Sequence, residues 1–106
     1  MSTNHRVNSL MLPQFVGQNV LVVGRVKGDG GIGQMVHLEG PDGGDIVIDR
    51  RQASRDYGSP YVEVLGTVNA DRTILETRAI DFGQEFDLQM YNETLLTMNG
   101  PLKDLF

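Results

Sequence analysis

The sequence predicts an all-β domain, a small five-stranded barrel with a short helix before it and an amphipathic helix after it. Three observations carry this. Runs rich in Val, Ile and Thr recur between residues 19 and 82, separated by clusters of Gly, Pro, Asn and Asp. Glycine reaches 13 of 106 residues, and Gly24 and Gly66 interrupt apolar runs, where a barrel strand must bend or be closely approached. Beyond Asp87 the spacing of apolar residues changes from alternation to steps of three and four.

Residues 1–9 are polar and are expected to be a disordered N-terminus. Asn8 or Ser9 can cap a short helix whose apolar side is Leu10, Met11, Leu12, Phe15 and Val16, with Pro13 tolerated early and Gly17 ending it. Asn19 to Lys27 is the first strand, with Val20, Val22 and Val26 on one face and Leu21 and Val23 on the other. Gln34 to Glu39 is the second, and "GPDGGD" turns the chain into a third at Asp45 to Asp49. "RRQASRDYGSP" reads as a loop. Tyr61 to Asn69 and Thr73 to Phe82 are the last two strands, joined by the turn "NADR". Asp87 is a good helix N-cap, Leu88, Tyr91, Leu95 and Met98 form one stripe, and Asn99-Gly100-Pro101 ends the helix. The organisation is thus a tail (1–9), a barrel (10–85), and a terminal helix with its tail (86–106). Five short strands with glycines inside them point to the OB-fold, although periodicity alone also allows another small barrel or a sandwich.

Gly28, Gly30 and Gly33 spell G-x-G-x-x-G directly after the first strand. A dinucleotide loop of that spacing must open a helix whose N-terminus holds the pyrophosphate. Here "QMVHLEGP" follows, too short and stopped by Gly-Pro, so the glycines are expected to be a hairpin connection rather than a nucleotide site.

The net charge of −5 repels a phosphate backbone at long range and argues against strong autonomous nucleic-acid binding. There is no cysteine, hence no disulfide, thiolate metal site or cysteine nucleophile. No stretch has the length of a signal-peptide core or a membrane span, so a soluble, intracellular protein is expected. His5 and the His37–Glu39 alternation do not make an acid/base pair. Asp42, Asp45 and Asp49 miss calcium-loop spacing because a strand runs between them. No enzyme, metal or cofactor is expected.

Two features remain as candidate sites. Arg25 and Lys27 leave the first strand, Arg50 and Arg51 follow the third, and Arg72 lies in the last turn, as an OB-type single-strand surface would use cations. Aromatic platforms are sparse. The terminal stripe either packs on its own barrel or meets other chains, and Met90, Leu96 and Leu102, apolar but off the stripe, ask for a second partner.

"VGQNVLVVGRV", "VEVLGTVNADRTIL" and "FDLQMYNETL" resemble the small, 14-kilodalton subunit family of replication protein A, over residues 10 to 98. The most specific pieces are Phe86-Asp87-Leu88 with Tyr91-Asn92-Glu93, and the hairpin Gly66 to Leu75. The loop Asp29 to Gly33 is more glycine-rich than the family pattern. The resemblance implies an OB barrel whose C-terminal helix joins one helix each from the large and middle subunits in a three-helix bundle. It places the subunit interface on Leu88, Tyr91, Asn92, Leu95, Met98 and Leu102. Direct contact with single-stranded DNA, through Arg25, Lys27, Arg50, Arg51 and Arg72, is then weak, the strong sites lying on the other subunits. It also implies a nuclear role in DNA replication, repair and recombination. The alternatives are an autonomous OB-fold single-strand binder and the small subunit of a telomere-end-binding complex.

Overall fold

In the computed structural model the described residues are 5–27, 34–51 and 57–99, with residues 98 and 99 described by backbone alone. Among the described residues eight elements follow one another: β1 (His5–Arg6), a 3-10 helix (Ser9–Phe15), β2 (Asn19–Val26), β3 (Met35–Glu39), β4 (Asp45–Asp49), β5 (Tyr61–Val68), β6 (Ile74–Gly83) and α1 (Leu88–Asn99). Strands β2-β3-β4-β6-β5 pair in that order and β5 returns to β2, which closes the expected five-stranded barrel. The β4–β6 pair is parallel, with Ile48 opposite Ile74.

β2 is the hub. One edge pairs with β5 from Asn19↔Thr67 to Arg25↔Tyr61. The other edge is shared: β3 takes Arg25 and Val26, and β1 runs parallel along Val20 and Leu21. β1 therefore fills the stretch of edge that β3 leaves open. Residues 5–9 are thus placed as β1, its continuation and the start of the 3-10 helix; residues 1–4 lie outside the described part. Val7 donates its N–H to Leu21 O at 3.0 Å and its side chain is fully buried. A single valine in a polar run supplies enough apolar area, about 1.5 to 3 kcal/mol, to tie down a strand that also satisfies an open edge.

The core is assembled from the inward faces of the strands: Val20, Val22, Val36, Leu38, Ile46, Ile48, Val62, Val64, Val68 and Ile74, with Val7 and Leu12 closing one side. The two strand glycines do what their positions required. A Cβ on Gly66 would run into the Leu75 carbonyl and the Ile74 side chain, and the β5–β6 register shifts there. A Cβ on Gly24 would stand 2.8 Å from Glu39 O, where β3 joins β2. The 3-10 helix is capped by Asn8, whose side chain accepts from Met11 N at 3.2 Å, and α1 by Asp87, which accepts from Met90 N at 2.9 Å.

Candidate functional site

α1 is held to the barrel by one face. Arg6 Nη1 donates to Glu63 Oε2 at 2.7 Å and to the Tyr91 hydroxyl at 3.3 Å. Asn8 Nδ2 donates to Asn92 Oδ1 at 2.8 Å. β1 and the residues just after it thus form the seat of the helix. Phe86, ahead of the helix, stacks among Phe82 (5.2 Å), Tyr91 (5.7 Å) and Tyr61 (6.2 Å), so the junction is an aromatic hinge pin. Burial pushes the Tyr91 hydroxyl up, against the opposing pull of Arg6, and the Tyr91 and Glu63 hydrogen bonds raise Arg6. Both shifts leave Tyr91 neutral and Arg6 charged at neutral pH. Leu95 is 1% exposed.

The stripe foreseen as a subunit interface is therefore largely spent within the chain. Tyr91 and Asn92 bond to the N-terminal segment, Leu95 is buried and Leu88 is half-buried. The side chain of Met98 and all of Leu102 lie outside the described residues. On the other side of α1, Met90 is 62% and Leu96 51% exposed, with Gln89, Glu93, Thr94 and Thr97 around them. Period alone located the stripe but not what covers it, because Arg6 and Asn8 come from the far end of the chain.

The second candidate is the outer wall of β3 and β4 with the adjacent turns, the surface on which OB barrels hold oligonucleotides. Alternation turns Met35, His37 and Glu39 outward on β3, opposite Asp49, Val47 and Asp45 on β4. Arg25 and Lys27 stand at its β2 border. Arg25 Nε lies 3.1 Å from Glu39 and Lys27 Nζ 3.1 Å from Asp45, which also meets His37 Nδ1 at 2.8 Å. Burial alone would raise Asp45, but hydrogen bonds from His37 and Lys27 outweigh it and hold the carboxyl below its ordinary value. Arg51 is exposed and is bonded to Asp49, whose carboxyl is held low by the Arg51 side-chain hydrogen bonds. A groove of about 470 Å³ lies beside it, lined by Met35, Asp49, Arg51, Asn69, Asp71 and Thr73. Two carboxylates against one guanidinium make that groove a poor phosphate cradle. Arg72 is exposed in the β5–β6 turn, in a left-handed conformation (φ 70°). Among the described residues no Phe, Tyr or Trp stands on β3 or β4, so His37 is the one ring these two strands offer a base.

Arg50 departs from the surface role expected of it. Its side chain is 5% exposed, as is that of Glu76, and the two form a double hydrogen bond at 3.0 and 3.2 Å. The Tyr57 ring lies 3.8 Å beneath the guanidinium and its hydroxyl donates to Glu76 at 2.6 Å; burial first, then Glu76, pushes that hydroxyl far up. Arg50 is a core residue that pins the chain leaving β4 and cannot meet DNA without breaking this set. The signal was Glu76, two residues after Ile74 on an inward strand face, where a carboxylate demands a buried partner.

The glycines at 28, 30 and 33 lie outside the described residues, as does most of the loop following Arg51. Among the described residues no group of three or more His, Asp or Glu could hold a metal ion, and no helix is long and apolar enough to cross a membrane.

Comparison with known proteins places this geometry. The pattern of the family described as Replication factor A protein 3 matches residues 1–106. One of the 14 kDa subunits of replication protein A from Arabidopsis thaliana is 38% identical over 101 residues, 94% of this chain and 91% of that protein. The 14 kDa subunit of Oryza sativa subsp. japonica is 36% identical over 103 residues, with the same coverage. Among solved structures, a chain of U. maydis replication protein A bound to single-stranded DNA superposes with a TM-score of 0.86 at 26% identity, covering 100% of this chain and 97% of that one. A chain of the S. pombe Stn1–Ten1 complex shares the fold, with a TM-score of 0.71 at 11% identity over 89% of this chain and 90% of that one. With the family pattern spanning the whole sequence and relatives matching nine-tenths of it, the chain belongs to the Replication factor A protein 3 family.

Proposed function

We propose that this chain is the small assembly subunit of a heterotrimeric replication protein A complex, acting in the nucleus in DNA replication, repair and recombination. Its partners are the large and middle subunits, and single-stranded DNA is reached through the complex, with at most weak contact by this barrel. The role is not catalytic. The observation that carries the reading is the division of α1: one face is anchored through Tyr91, Asn92 and Leu95, while Met90 and Leu96 remain exposed on the other. A helix already held on one side presents the rest of its surface at a fixed angle, which lowers the ordering cost of joining a bundle. The poor provision of the β3–β4 wall for bases supports the weak direct contact.

The test is copurification. Met90→Asp with Leu96→Asp should abolish recovery of the middle and large subunits while changing the chain's own stability by no more than about 0.5 kcal/mol, as surface changes do. Undiminished recovery of both partners would exclude this face of α1 as the contact. Recovery of telomere-end proteins instead would transfer the subunit to that class of complex.

A further inference from the structure

The cations on the β2 border sit where a single-strand-binding barrel needs them, and each is matched by a carboxylate, Arg25 by Glu39 on β3 and Lys27 by Asp45 on β4. Arg25 stands opposite Glu39 in the β2–β3 register, and Glu39 opposite Asp45 in the β3–β4 register. These pairings bring Arg25 Nε to 3.1 Å from Glu39 Oε1, Lys27 Nζ to 3.1 Å from Asp45 Oδ1, and His37 Nδ1 to 2.8 Å from Asp45 Oδ2. The four charged side chains are 50%, 36%, 40% and 45% exposed for Arg25, Glu39, Lys27 and Asp45, so solvent and a ligand can reach all of them. The charges of the two arginine and lysine heads cancel against the two carboxylates.

For a phosphodiester this arrangement is unfavourable twice over. It must displace a carboxylate from donors that are already bonded, and the displaced carboxylate stays on the same wall, close to the incoming negative charge. Exposed pairs of this kind add little to stability, so the fold does not require them. Their effect falls on the potential that a ligand meets.

We propose that Glu39 and Asp45 are specificity-determining residues that occupy the phosphate-binding groups of Arg25 and Lys27 and keep this barrel from binding single strands on its own. The proposal rests on the reading that direct contact by this subunit is weak, but it is tested on the chain alone, so its failure leaves assembly through α1 untouched.

The experiment measures binding of a labelled oligothymidylate of about 16 nucleotides, the upper end of an OB-fold site, to the full chain, its Glu39→Gln/Asp45→Asn variant, and a Glu85→Gln/Glu93→Gln control. The control removes the same charge from exposed positions away from the wall. The first variant should bind tighter, with the slope of log affinity against log salt steeper by about 1.4, two released contacts at about 0.7 each for a single strand. Between about 50 and 200 mM salt it should therefore lose roughly sevenfold more affinity than the parent. Adding Arg25→Ala and Lys27→Ala should abolish the gain. An unchanged affinity in a variant with the parent's circular dichroism overturns the proposal. So does an equal gain in the control, which would assign the effect to net charge.

Discussion

The α1 junction and the β2–β4 wall are made of similar parts and behave as opposites. Each contains an arginine bonded to a glutamate. At the junction the glutamate, Glu63, has a side chain 9% exposed, and Arg6 also serves the Tyr91 hydroxyl. On the wall Arg25 and Glu39 are 50% and 36% exposed. Burial, not pairing, decides what each pair does. The pair with a buried carboxylate fixes the position of a helix, whereas the exposed one shapes a potential and contributes little to folding. On the proposed function, assembly through the helix needs the first kind of contact at the junction, and leaving DNA to partner subunits is suited by the second kind on the wall.

The largest difference between the regions should appear on truncating Leu95. Leu95→Ala removes a side chain that is 1% exposed and should cost about 2 to 5 kcal/mol of stability. The loss should be local: hydrogen exchange should show α1 amides deprotected well before those of β2 and β5. Equal deprotection of helix and barrel would mean that the helix and barrel unfold as one unit and that the junction is no separate hinge.

A smaller effect should follow from Arg6→Ala, which leaves the nearly buried Glu63 carboxylate without this ion-pair partner and the Tyr91 hydroxyl without its donor. About 1 to 3 kcal/mol is the usual cost of such a loss, and the low end applies because the Arg6 side chain is 40% exposed and water can replace it. A Glu63→Gln change made in the same background should recover part of the loss. Urea titration measures both, and no recovery would show that Arg6 acts through the helix alone.

Much of this was legible in the sequence for local reasons. Alternation located all the barrel strands to within two residues, and Gly66 announced its bulge because no side chain fits against a crossing backbone. Asp87 announced the start of α1 because a free first turn needs an acceptor. What was missed depends on partners distant along the chain. β1 is two residues long and exists only because the edge of β2 is open beside it. Arg50 sits in a polar run that resembles a solvated loop, and its partner Glu76 lies on another strand. The stripe of α1 was visible, but the anchoring of Tyr91 and Asn92 by Arg6 and Asn8 was not, since neither residue carries an apolar signature.

The smallest effect should come from the wall. Asp45→Asn removes the carboxylate shared by Lys27 and His37, and with the Asp45 side chain 45% exposed it should lower stability by less than about 0.5 kcal/mol at pH 7. The pH dependence tests whether charge is the cause. Hydrogen bonds from His37 and Lys27 overcome the effect of burial and hold the folded carboxyl below its ordinary value, which in an unfolded chain is about 3.9. A depressed folded value means that the contribution is complete above the unfolded value and is lost as pH falls through the folded one. The gap in thermal midpoint between parent and Asp45→Asn should therefore be present at pH 7 and close as the solution is acidified below about pH 4, where the parent carboxyl also becomes neutral. The Leu95→Ala deficit has no ionisable group behind it and should persist over the same range. An Asp45→Asn gap that also persisted would show that Asp45 acts by packing, and the wall would then belong with the junction in what holds it together.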